Sequence, residues 1–115
     1  MDEREAALEE LGRSVLAEAR DDYVGLWSVL WTARRLLPGT SPADVREIVL
    51  RLLGQFLSEG LVVPGEPTED GLGFIQWPEG PTAALEKIRR EWATLGRDPR
   101  LGDVVWITTP LERPI

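Results

Sequence analysis

The chain is expected to be a single α+β domain over residues 1–115, with four helices and a small antiparallel sheet of two to three strands, in the order helix, helix, helix, strand, strand, helix, strand. Three observations carry that expectation. Apolar residues recur at spacings of three and four through the first half; after Gly60 the pattern changes to short β-rich runs; and a further helical stripe separates those runs from a final Val-Val-Trp-Ile-Thr segment. This order does not suit a doubly wound parallel sheet. The chain is long enough to bury a modest core without a metal or a disulfide.

Residues 3–20 read as the first helix, with Ala7, Leu8, Leu11, Val15, Leu16 and Ala19 on one stripe. Asp21 and Asp22 interrupt it, and either can cap the next helix, expected over Tyr23 to Leu37. That second helix carries Val24, Leu26, Trp27, Val29, Leu30, Trp31 and Ala33, so it is apolar around most of its circumference and is expected at the centre of the core. Pro38 and Gly39 end it.

The run "TSPADVREIVLRLLGQFLSEG" holds the strongest local signal. Ser41 is placed as N-cap, Pro42 at the first helical position and Asp44 three residues after the cap, followed by a stripe from Val45 to Leu57. Gly60 closes this third helix in the left-handed conformation, with Leu61 folding back on the last turn. Gly54 inside it either allows a close crossing with the second helix or is a tolerated defect.

Leu61 to Val63 and Leu72 to Trp77 are candidate strands, joined by "PGEPTEDG", a connection too long for a two-residue hairpin that predicts a mobile tip. The fourth helix enters through Gly80, Pro81 or Thr82, buries Ala84, Leu85, Ile88, Trp92 and Leu95, and stops at Gly96. "LGDVVWITTP" supplies the third strand, ended by Pro110.

Composition narrows the chemistry. The chain has neither cysteine nor histidine, which removes thiol redox chemistry, zinc sites built on those ligands and the usual nucleophile and base pairs. No cofactor or metal is expected, and the protein is read as non-enzymatic. Asp21 with Asp22, Glu69 with Asp70, and Asp103 are the local carboxylate candidates for acid and base work, but capping, loop solvation and a strand-entry turn account for them and nothing places a third group beside them. "GLGF" at 71–74 is followed by neither a helix nor Gly-Lys-Ser/Thr, so it is not a phosphate-binding loop. An acidic, helix-patterned N-terminus and the lack of an 18-residue apolar run point to a cytoplasmic protein with no membrane contact. The net charge of −7 is concentrated in residues 1–22, which hold eight acids and three arginines.

Residues 41–77 resemble the end of a winged-helix domain, where a helix leads directly into a hairpin; the resemblance implies DNA binding, for which Arg34, Arg35, Arg46 and Arg51 would be the contacts of a dimeric regulator. The charge opposes it. From Gly60 to Gly80 there are four acids and no Lys or Arg, so the hairpin repels a phosphate backbone and nucleic acid is not the expected partner.

Five tryptophans in so short a chain are the remaining unusual feature. Trp27, Trp31 and Trp92 fall on helical stripes and are expected in the core. Trp77 and Trp106 lie at or near strand ends, where covering the core and anchoring a partner are both open readings. The candidate partner-binding residues are therefore Glu66, Glu69, Asp70, Trp77 and Trp106. Edge strands and the tryptophan surplus also leave room for a homodimer. "EGLVVPG", "GFIQW", "EKIRREW" and "GDVVWITTP", with the helical first half, resemble the small acidic bacterial α+β proteins among which toxin-immunity proteins are found. That resemblance implies a non-catalytic protein that blocks a cognate toxin, its acids standing in for nucleic acid when the toxin is a nuclease.

Overall fold

The computed structural model describes residues 2–110. Asp2 opens α1 (Glu3–Asp21) by accepting from the Glu5 amide at 2.8 Å, and Leu11, Val15 and Ala19 form its buried stripe. The chain then stays extended for β1 (Val24–Gly25) before α2 (Leu26–Leu36) begins. This short strand was not foreseen in the sequence, where residues 23–37 read as one helix. Val24 is buried in either state, so its periodicity cannot separate them; Gly25, a poor helix former, sits at the N-cap, and the Leu26 amide donates to the Val105 carbonyl at 3.0 Å. Asp22 accordingly does not cap α2 but accepts from the Tyr23 amide at 2.7 Å.

α3 (Pro42–Ser58) forms as its caps dictate. The Ser41 hydroxyl accepts from the Asp44 amide at 3.2 Å, and at the other end Gly60 takes a φ of 70° while the Leu61 amide donates to the Phe56 carbonyl at 2.9 Å. α4 (Pro81–Leu95) ends on Gly96, also left-handed. It crosses α3 where Gly54 leaves room for Leu85; a Cβ there would lie 2.8 Å from the Leu85 side chain. The close crossing expected at Gly54 is therefore with the fourth helix and not the second. An Arg89–Glu47 pair at 2.8 Å spans the same two helices.

The sheet contains β2 (Val63–Pro67), β3 (Phe74–Gln76) and β4 (Trp106–Thr108) in the order β1-β4-β2-β3, all antiparallel, so it has four strands where two to three were expected. β2 runs through both prolines of the presumed loop. The Trp77 amide donates to the Pro64 carbonyl and the Thr68 amide to the Gly73 carbonyl, which sets residues 64, 66 and 68 toward β3 and residues 63, 65 and 67 toward β4. Pro64 thus offers β3 only the carbonyl it needs, and Pro67 lies past the end of β4, where its missing N–H breaks no ladder bond.

Entry into β4 passes through a γ-turn. The Val105 amide donates to the Asp103 carbonyl at 2.9 Å, and Val104 between them has a φ of 71°. A β-branched residue at positive φ is strained by roughly 1–3 kcal/mol. One contiguous core joins α1 through α4 to the inner face of the sheet, with Val49, Leu50, Ala84 and Ile88 wholly inaccessible.

Candidate functional site

Paired residues across an antiparallel sheet share a face. Val24, Ile107 and Pro64 are paired in a row and buried, which makes theirs the core face. The next row, Gly25, Trp106, Gly65 and Gln76, therefore points away from the core. Trp106 stands between two glycines, and neighbouring rings lie over them. A Cβ on Gly25 would sit 2.7 Å from the Trp27 ring and 3.5 Å from the Trp106 ring; one on Gly65 would meet the Phe74 ring at 2.7 Å and overlap the Ile75 carbonyl oxygen. Tyr23 extends this layer, its ring centroid 5.0 Å from that of Phe74. The two glycines leave the space in which the Trp27, Trp106 and Phe74 rings approach the sheet backbone. Trp106, Phe74 and Tyr23 are half-buried there, and Gln76 is exposed.

The aromatic surface continues onto α2. Trp27 is 38% exposed, and Trp31, one turn further, is 61% exposed with the Arg35 guanidinium 5.5 Å from its ring centroid. Both had been expected in the core, and the structure corrects this. Leu26, Val29, Leu30 and Ala33 already complete the buried stripe, so the two indoles are left on the other side of the helix. Their spacing with Arg35, at intervals of four, is the signal that could have found them, because a cation aligned with a helical column marks a solvent face.

Beyond Phe74 lies the tip of the β2–β3 hairpin. It is organised by its own hydrogen bonds: the Gly73 amide donates to the Thr68 hydroxyl at 3.0 Å, the Gly71 amide to the Thr68 carbonyl at 2.9 Å, and the Leu72 amide to the Asp70 carboxylate at 3.0 Å. Of the three acids expected to contact a partner, Asp70 serves this turn, and hydrogen bonds from the Thr68 hydroxyl and the Leu72 amide hold its carboxyl below the ordinary value. The carboxylates of Glu66 and Glu69 are exposed and take part in no hydrogen bond or ion pair among the described residues. Leu72, 86% exposed, and Ile75, 57% exposed, place apolar side chains beside those charges.

Trp77 does not join this surface. It is only 9% exposed, packed into the core with the Lys87 ammonium 4.0 Å above its ring, and Lys87 is held in turn by Glu79 at 3.5 Å. The anchor reading of Trp77 is corrected on that ground, since an aromatic ring closed against the core offers nothing to a partner. Trp92 is buried as its stripe indicated, with the Arg46 guanidinium over its outer face at 5.5 Å.

No family model, curated protein or solved structure matches this chain. Its surface chemistry is then the guide to function. The carboxylate candidates are not brought together: Asp22 is tied to the Tyr23 amide, Asp70 to its own turn, and Asp103 accepts from the Arg100 amide at 2.9 Å and from Arg97 at 2.8 Å, contacts that lower its pKa in that order of effect. Among the described residues no group of three His, Cys, Asp or Glu is poised to hold a metal, and no helix is long and apolar enough to cross a membrane. The arginines that a nucleic-acid reading would use are divided. Arg34 pairs with Asp98, Arg35 lies on Trp31, and Arg46 lies on Trp92 with its Nε buried.

Proposed function

We propose that this chain is a non-catalytic cytoplasmic protein-binding domain, of the immunity-protein or small-adaptor kind, that engages a basic protein partner. The observation that supports this most is the outward aromatic row Trp31, Trp27, Trp106 and Phe74, leading to a hairpin tip with the exposed acids Glu69 and Asp70, with Glu66 on the opposite face beside Ile75 and no Lys or Arg from Gly60 to Gly80. Aromatic side chains held rigid on a scaffold are the residues that dominate interface energies, because they bury much area for little lost rotamer freedom. Rim carboxylates add orientation and speed of encounter toward a positively charged surface. Where the partner is a nuclease toxin, Glu66 and Glu69 stand in for substrate phosphates.

The test begins with capture of partners by the tagged protein from lysate of the source cells, with proteins and nucleic acids both identified. Affinity of the purified partner is then measured for Trp31→Ala and for Glu66→Ala with Glu69→Ala. The aromatic change is expected to weaken binding by about 2 kcal/mol or more, roughly thirtyfold, and the acidic pair to slow association and flatten its salt dependence. Unchanged affinity in both would refute the assigned surface. The direct run of α3 into the hairpin keeps one second reading, a winged-helix-like regulator that binds nucleic acid; salt-sensitive DNA binding in the same capture would favour it over the protein-binding reading.

A further inference from the structure

α1 and α3 both pack on α2, and a cavity of about 440 Å³ lies between them. That size falls within the range of small-ligand sites, on the order of 300–1,000 Å³. Its floor is apolar, formed by Leu8, Leu52 and Phe56 around Gly12. Gly12 is the telling residue. A glycine inside a helix costs about 0.5–1 kcal/mol relative to alanine, and most such positions are explained by a close crossing, as Gly54 is by Leu85. At Gly12 a Cβ would meet only ordinary van der Waals neighbours, Phe56 at 3.6 Å and Leu52 at 3.7 Å. Packing does not require the glycine, and what its missing side chain preserves is the open space of the groove.

The charges around that space are unlike the rest of α1, whose neighbourhood is strongly acidic. Arg4 and Arg51 line the groove, both exposed, and neither forms an ion pair among the described residues. Glu9, the acid that also lines it, has Arg13 at 3.8 Å. Arg51 attracts Glu47 one turn away but makes no close pair with it. An apolar trough flanked by two guanidiniums outside any close ion pair is complementary to a ligand with a hydrocarbon body and an anionic head, since guanidinium pairs with carboxylate through two parallel hydrogen bonds.

We propose that the α1–α3 groove binds a single-chain anionic amphiphile, a fatty carboxylate whose tail lies over Gly12 and whose head group meets Arg4 and Arg51. This site shares no residue with the aromatic and acidic surface, so the two stand or fall separately. Calorimetric titration with dodecanoate below its micelle concentration tests it. The expected result is saturable one-to-one binding that weakens about tenfold or more in the Arg4→Gln, Arg51→Gln double variant, is abolished by Gly12→Leu, and is at least about tenfold weaker for dodecyltrimethylammonium. Both arginines are exposed, so the double variant keeps the fold and remains informative even where Gly12→Leu perturbs α1. Absence of saturable binding, equal binding of the cationic amphiphile, unchanged affinity in the arginine variant, or a groove that takes an acidic amphipathic peptide but not dodecanoate would each overturn it.

Discussion

Gly65 and Gly12 are predicted to respond to the same substitution with opposite signs. Gly65 lies in the central part of the sheet, paired with Trp106 on one side and Gln76 on the other. An alanine methyl there would overlap the Ile75 carbonyl oxygen, approach the Ile75 carbonyl carbon at 2.9 Å and touch the Phe74 ring at 2.7 Å. Phe74 can turn aside, but the Ile75 backbone cannot without parting β2 from β3. Overpacking costs roughly 1–3 kcal/mol, and a backbone obstacle places Gly65→Ala toward the upper end. Against it stands a gain of about 0.4–1 kcal/mol from restricting the unfolded chain. The net expectation is a loss of about 2 kcal/mol, which for a domain of this size is a fall of very roughly 8 °C in Tm. Gly12→Ala meets no such obstacle and is expected to gain about 0.5–1 kcal/mol. Urea unfolding followed by tryptophan fluorescence and far-UV circular dichroism measures both, with slopes compared to confirm that the unfolded states match. A Gly65→Ala protein as stable as the wild type would refute the close-approach argument. A loss at both positions would show that local space does not decide the sign.

Three further expectations follow from the same geometry. Trp31→Ala should change folding stability by less than about 1 kcal/mol whereas Trp92→Ala should cost about 3–5 kcal/mol, and a large loss at Trp31 would contradict its placement on the surface. Val104→Gly should stay within about 1 kcal/mol of the wild type, because relief of the positive φ offsets lost packing; a loss above about 2 kcal/mol, as for an ordinary strand valine, would argue against the strained turn. Glu47, Asp70 and Asp103 all have carboxyls lowered in the folded state, Glu47 chiefly by its hydrogen bond from Arg89, so the stability they contribute is present above the ordinary carboxylate value near pH ~4 and is lost as pH falls through the lower folded values. Asp103→Asn should therefore be less stable than the wild type at neutral pH and converge with it in acid; parallel curves down to pH ~2 would refute the linkage.

The sequence by itself determined the four helices and most of their ends, the start of α2 excepted, because caps and periodicity are local. Ser41, Pro42, Gly60 and Gly96 each act within a few residues, and each stands where its local chemistry places it. It also determined the α+β class and the charge of the hairpin, since Glu66 and Glu69 need no tertiary partner to remain acidic and solvated.

Tertiary structure decided the rest. Val24–Gly25 is too short to show a period and is a strand only because β4 arrives beside it. The prolines of β2 read as loop residues until the register shows that neither interrupts a ladder. Trp31 left its expected place in the core and the open choice at Trp77 fell to the core, because burial depends on which face of an element another element covers: Lys87 of α4 lies over Trp77, whereas α2 completes its contacts with the core without Trp31. The aromatic surface is assembled from Trp27 and Trp31 of α2, Trp106 of β4 and Phe74 of β3, over Gly25 of β1 and Gly65 of β2, residues that are far apart in the chain. A pattern of local spacings carries no record of such a juxtaposition, which exists only once long-range strand pairing sets the register.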